Sequence, residues 1–83
     1  MKISFTRDGW EDYTSWATER STLKRINRMI EEAARDPAGG IGKPERLSHN
    51  LSGYWSRRIT DEHRLVYQLR NEELIIVQAR YHY

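Results

Sequence analysis

Residues 50–67 read NLSGYWSRRITDEHRLVY, and the last four residues, Arg80-Tyr81-His82-Tyr83, answer them. Together these segments supply a tight turn, β-patterned runs and concentrated Arg and His. From His63 the pattern alternates, with Leu65, Tyr67 and Leu69 on one strand face and Arg64, Val66 and Gln68 on the other. From Leu74 a second run places Ile75, Val77, Ala79 and Tyr81 on one face and Ile76, Gln78, Arg80 and His82 on the opposite one. A hairpin turning at Arg70 to Glu73 predicts that the two apolar sets coincide, odd positions beside odd and even beside even. That register brings Arg64 alongside Gln78 and Arg80, close to His82, on the solvent side of a sheet. A cationic face carrying an imidazole is the expected working surface.

Upstream of this segment, Trp55 to Ile59 reads as a further strand, but Arg57 shares the parity of the apolar Trp55 and Ile59. It must therefore sit near an edge, snorkel or find a partner, whereas Arg58 has the parity that joins Arg64. The stretch from Ile41 to Asn50, containing GKPERLSHN, is interrupted by Gly42 and Pro44 and reads as an irregular loop, with Glu45 to Leu47 as an edge strand. The N-terminal half is helical in pattern. Lys2 to Phe5 is β-prone, Thr6 offers an N-cap hydroxyl, and Trp10, Tyr13, Trp16 and Ala17 recur at helical spacing as a core stripe. Ser21 or Thr22 is placed to cap a second helix carrying Leu23, Ile26, Met29, Ile30, Ala33 and Ala34, which Asp36-Pro37-Ala38-Gly39-Gly40 ends. Two apolar stripes need a sheet to face, so the expectation is an α+β domain over residues 1–83, with both helices on one side and the other side open.

Composition narrows the function. A chain of 83 residues, 37% hydrophobic and 31% charged with three Trp and five Tyr, is one small folded domain rather than a disordered chain. It has no cysteine, hence no disulfide framework, thiolate metal site or Cys nucleophile. No apolar run could cross a bilayer and no secretory h-region opens the chain, so a cytoplasmic protein without membrane contact is expected. The net charge of +2 is modest, but the excess lies in the β-rich half, where Lys43, Arg46, Arg57, Arg58, Arg64, Arg70 and Arg80 outnumber the acids.

No P-loop, dinucleotide fingerprint, G-x-S-x-G elbow or HExxH is present, and His49, His63 and His82 are not spaced as a ligand pair. Neither metal nor cofactor is expected. What remains is acid–base chemistry beside concentrated Arg, which suits a phosphodiester. Cleaving RNA without a metal needs a base for the 2′-hydroxyl proton, a cation for the charged phosphorane and an acid for the leaving oxygen. Glu45, flanked by Lys43 and Arg46, can be the base; Arg64 can present its planar fork; His82 can supply the proton. The same residues admit plainer readings: Glu45 as a solvated loop charge, Arg58 and Arg64 as surface solubility, His82 as a frayed end. A non-catalytic nucleic-acid- or ribosome-binding module, or a subunit that chiefly binds a partner and represses its operon, would carry the same basic face.

Four blocks in order, GKPE at 42–45, HNLSGYWSRRI at 49–59, EHRLVY at 62–67 and RYHY at 80–83, give a family likeness along the whole chain. It resembles the YoeB toxins, in the RelE-like group of toxin–antitoxin ribonucleases. The resemblance implies a microbial-ribonuclease fold, with an antiparallel sheet against two N-terminal helices. It implies a toxin that cuts messenger RNA in the ribosomal A site without metal and is silenced by a YefM-type antitoxin, the complex of the two binding operator DNA. It also suggests a homodimer. Carried over by position, Glu45 is the proton acceptor, Arg64 the transition-state cation and His82 the proton donor. Tyr83 helps position substrate or acid, and Lys43 and Arg58 meet the RNA backbone. Ser48 stands where relatives often have Lys, and Tyr54 where they tend to have Phe.

Overall fold

The computed structural model describes residues 1–48 and 53–81, which form seven elements: β1 (Lys2–Phe5), α1 (Arg7–Thr14), α2 (Arg20–Arg35), β2 (Glu45–Arg46), β3 (Tyr54–Arg58), β4 (Arg64–Arg70) and β5 (Glu73–Gln78). One sheet contains all five strands in the order β1-β5-β4-β3-β2. Pairing is antiparallel except at β1, which runs parallel to β5. The parallel step follows from connectivity, because α1 and α2 carry the chain away after β1 and the three later antiparallel strands return β5 to its side.

The central hairpin differs from the register predicted above, and its turn is the reason. Asn71 and Glu72 both take positive φ, 51° and 59°, forming a two-residue turn that pairs Arg70 with Glu73. Odd positions of β4 therefore meet even positions of β5, Tyr67 opposite Ile76 and Leu69 opposite Leu74. Leu74 and Ile76, not Ile75 and Val77, face the core. A bulge then absorbs Val77, so that Val66 pairs with Gln78 and the even-to-even register holds toward the C-terminus. Ala79 returns to the core as expected, whereas Tyr81 does not, being 65% exposed.

Both helices cover the face made by Trp55, Arg57, Leu65, Tyr67, Leu74 and Ile76. From α2 the buried residues are Ile26, Met29, Ile30 and Ala33, the stripe read from the sequence. Thr6 caps α1 through its hydroxyl, which accepts from Gly9 N. A Cβ at Gly9 would collide with the Ile76 carbonyl oxygen, so only glycine lets α1 lie this close to β5. The second helix starts two or three residues earlier than the Ser21 or Thr22 cap would place it. Glu19 is its N-cap residue and makes no side-chain cap bond. The aromatic stripe of α1 also divides, for the helix ends at Thr14: Trp16 is buried beyond it, while Trp10 stacks on Tyr13 and stays half-exposed.

Arg57 finds its partners inside the protein. It is fully buried, its Nε donates to the Tyr67 hydroxyl at 2.9 Å, and its two terminal nitrogens donate to the carbonyls of Ile41, Asp36 and Pro37. The Tyr67 hydroxyl donates in turn to Pro37 O at 2.9 Å. A buried guanidinium bonded to neutral carbonyls thus ties the segment after α2 down onto the sheet.

Candidate nucleic-acid-cleaving face

The face of the sheet away from the helices is built by register. Glu45 pairs with Ser56, Ser56 with Val66 and Val66 with Gln78, one row running across four strands. Two residues along β3 and β4, on the same face, Arg58 pairs with Arg64. Glu45, Arg58 and Arg64 therefore stand on one face. Two strand spacings of about 4.8 Å and a two-residue offset of about 6.6 Å along the strand set Glu45 and Arg64 about 12 Å apart, backbone to backbone. Long side chains from both can reach a group seated between them.

Each candidate is held by identifiable backbone. Lys43 precedes the edge strand in a left-handed turn, φ 51°, and Arg58 N donates to the Gly42 carbonyl at 2.6 Å, bringing the Lys43 segment beside Arg58. Glu32 secures the same segment from α2: its Oε1 accepts from Ile41 N at 2.9 Å. That backbone bond, followed by the Arg28 guanidinium at 2.7 Å, holds the Glu32 carboxyl below the usual carboxylate range. Glu45 itself is exposed on the short strand β2, with Arg46 on the opposite face over the Trp55 ring.

The Arg64 guanidinium turns toward the hairpin rather than toward Glu45. Its Nη1 donates to the carbonyls of Thr60 at 2.7 Å, Asp61 at 3.1 Å and His63 at 3.1 Å. Its backbone N–H donates to Tyr81 O at 3.1 Å, which brings the end of the described chain against the start of β4. His82 and Tyr83 lie outside the described residues.

Arg80 is not on this face. Its Cζ lies 3.7 Å from the centroid of the Trp16 ring, its Nε donates to Ser15 Oγ, and it pairs with Glu19 at 3.6 Å. The chain leaves β5 at Gln78, and Ala79 enters the core with its N–H on Asp12 Oδ2 and its carbonyl on Trp16 Nε1, so Arg80 is drawn to the helical layer. Two residues matter here that the alternation did not single out for the site. Arg57 anchors the segment that leads to Glu45, and only its misfit parity signalled it. His63 touches the C-terminal segment through its ring, and its position next to Arg64 was the one available hint.

A groove of about 320 Å³ lies beside the C-terminal segment, but Asp8, Glu11 and Asp12 line it together with Val77, Gln78, Arg80 and Tyr81. Its acidity suits a phosphodiester poorly, whereas the sheet face away from the helices, buried at its centre at Ser56 and Val66 rather than open as expected, carries cations with one carboxylate at its margins. Among the described residues no three of His, Asp and Glu gather as a metal-ligand set, and no helix is long and apolar enough to cross a membrane.

Comparison with known proteins bears on the chain as a whole and on its fold. The family model for the YoeB-like toxin of bacterial type II toxin–antitoxin systems matches residues 5–83. Toxin YoeB of Streptomyces coelicolor is 62% identical over 84 residues, covering 100% of both chains. Among solved structures, the YoeB/ParE toxin from Agrobacterium tumefaciens aligns over 100% of both chains with a TM-score of 0.94 and 44% identity. The YoeB–YefM complex from Staphylococcus aureus aligns over 100% of this chain and 98% of that one, at TM-score 0.89 and 40% identity. The Staphylococcus aureus toxin is also known as a YoeB dimer.

Proposed function

Since the chain belongs to the YoeB-like toxin family of bacterial type II toxin–antitoxin systems, we propose that it is a ribosome-dependent endoribonuclease acting in the cytoplasm on messenger RNA in the A site. The observation that carries the reading is the common face of Glu45, Arg58 and Arg64, with Tyr81 bonded at the start of β4. In this reading Glu45 takes the proton of the 2′-hydroxyl at the scissile nucleotide. The freed oxygen attacks phosphorus, and the bond from phosphorus to the 5′-oxygen breaks. Arg64 swings from the hairpin carbonyls to the equatorial phosphate oxygens, where charge builds. His82, the residue after Tyr81, gives its proton to the departing 5′-oxygen, and Tyr83 steadies that acid or the substrate. Lys43 and Arg58 hold flanking phosphates. The products are a 2′,3′-cyclic phosphate and a 5′-hydroxyl, with no metal or cofactor required.

The relatives' complexes support a YefM-type antitoxin as the silencing partner and a homodimer as a further assembly. A bound antitoxin segment would cover the cationic face, and the joint complex would bind operator DNA. Translating a defined message with the protein present and mapping the cut ends tests the catalytic reading. Cuts within codons, with the end groups named above, are expected. Intact message, with the protein bound to ribosomes in a strongly salt-dependent way, would instead mark a non-catalytic binding module.

A further inference from the structure

The geometry points to His63 as a positioning residue for cleavage, a role that rests on the nuclease reading above. Consecutive residues hold Tyr81 by both of its backbone groups: its N–H donates to His63 Nδ1 at 2.8 Å, and its carbonyl accepts from Arg64 N at 3.1 Å. Tyr81 has φ 57°, a left-handed conformation that a bulky residue keeps only where its surroundings impose it. The Nδ1 bond is one of those impositions. Packing supplies others, since the His63 ring stands edge-on to Trp16 at 4.9 Å and tilted against the Tyr81 ring at 5.1 Å.

His63 also reaches the other partner of the reaction. Its carbonyl is one of the three that receive Arg64 Nη1, and it accepts from Ile59 N at 3.0 Å, while its own N–H donates to Thr60 Oγ1. One residue therefore fixes the tight turn, helps receive the resting guanidinium by its main chain and holds the Tyr81 backbone by its ring. The residue leaving Tyr81 is His82, the proposed acid. The ring of His63 holds the backbone of the residue before it, and this hold on Tyr81 is what the proposed positioning role rests on. Accepting at Nδ1 requires the ring to be neutral and to carry its proton on Nε2.

Two variants separate this role from bulk packing. An Asn side chain can place its amide oxygen near the Nδ1 position, whereas Gln reaches toward the Nε2 position instead. In single-turnover cleavage on saturating ribosomes, His63→Gln should be slowed on the order of 10- to 100-fold with apparent ribosome affinity within about twofold, and His63→Asn should stay within about threefold of the parent. In the unsubstituted protein, long-range proton–nitrogen correlation spectra should find Nδ1 unprotonated and Nε2 carrying the proton. Equal rates for the parent and His63→Gln, equal losses in both variants, or a protonated Nδ1 in the folded protein would each overturn the inference while leaving the nuclease reading in place. The spectra decide even where His63→Gln fails to fold. A parent protein that cuts no message on translating ribosomes would remove the nuclease reading, and this inference with it.

Discussion

Arg57 Nε donates to the Tyr67 hydroxyl at 2.9 Å in the centre of the molecule, and through this pair the sheet holds the segment that presents Glu45. A cation in the core of a small protein is costly unless every donor is used, and here backbone carbonyls of the segment after α2 use them. Arg57→Ala should destabilise the protein by about 3 kcal/mol or more, because it leaves buried carbonyls without donors and opens a cavity. Tyr67→Phe should cost about 1–2 kcal/mol. Urea unfolding of the two single variants and the double variant checks this, and the double should lose less than the sum.

Stability should depend on pH at both ends of the range, for different reasons. Burial pushes the Tyr67 hydroxyl above its ordinary value of 10.0, against the lowering effect of the Arg57 bond. The unfolded chain then releases the phenolic proton first, so stability falls as pH rises beyond about 10. At the acid end Glu32 is held below 4.5, chiefly by the Ile41 N–H and then by Arg28, and its contribution is fully present above 4.5 and lost as pH falls below that toward and through its lowered folded value. Unfolding curves across pH should show the alkaline loss reduced in Tyr67→Phe and the acid loss reduced in Glu32→Gln.

In the proposed function Lys43 and Arg58 make phosphate contacts and take no part in bond making. Replacing either by Ala should weaken binding to RNA on the ribosome and lower the slope of log affinity against log salt by about one per residue. Cleavage at saturating ribosome concentration should change much less than affinity. Affinity measured over a salt series checks both residues, and a slope unaltered in both variants would exclude them from the interface.

The residues proposed to carry catalysis should behave differently. Glu45→Gln, Arg64→Ala and His82→Gln are each expected to slow the chemical step by roughly 10² to 10⁴ fold while the protein still binds ribosomes. Arg64→Lys should recover little, because an ammonium cannot present two parallel donors to a phosphate. Single-turnover rates measured alongside ribosome binding separate these effects.

Much of this arrangement was legible in the residues themselves. The Thr6 cap, the Ile26-Met29-Ile30-Ala33 stripe and the Asp36-Pro37 stop act locally, so periodicity and capping chemistry expose them. The hairpin register was not legible near its turn. Asn71-Glu72 lacks the glycine that usually announces a two-residue turn, and the Val77 bulge exists only because the turn's register and the burial of Ala79 both have to be met. Parity flagged Arg57 as anomalous, yet its acceptors are carbonyls of a distant loop, which no side-chain pattern reveals. For the same reason Arg80 looked like a surface cation, although Trp16 and Ser15 draw it to the helical layer. Of the candidate site, the shared face of Arg58 and Arg64 followed from strand parity, Glu45 joins it only through the pairing of β2 with β3, and the roles of individual residues came from the family blocks.

The central claim is that Glu45 activates the 2′-oxygen of the message for attack on its own phosphate. Replacing that single hydroxyl by hydrogen at the mapped scissile nucleotide, in a message otherwise unchanged and held in the A site, tests it most directly. The account predicts that cleavage at that bond disappears while ribosome binding of the toxin persists. Cleavage continuing at the deoxy position would contradict it.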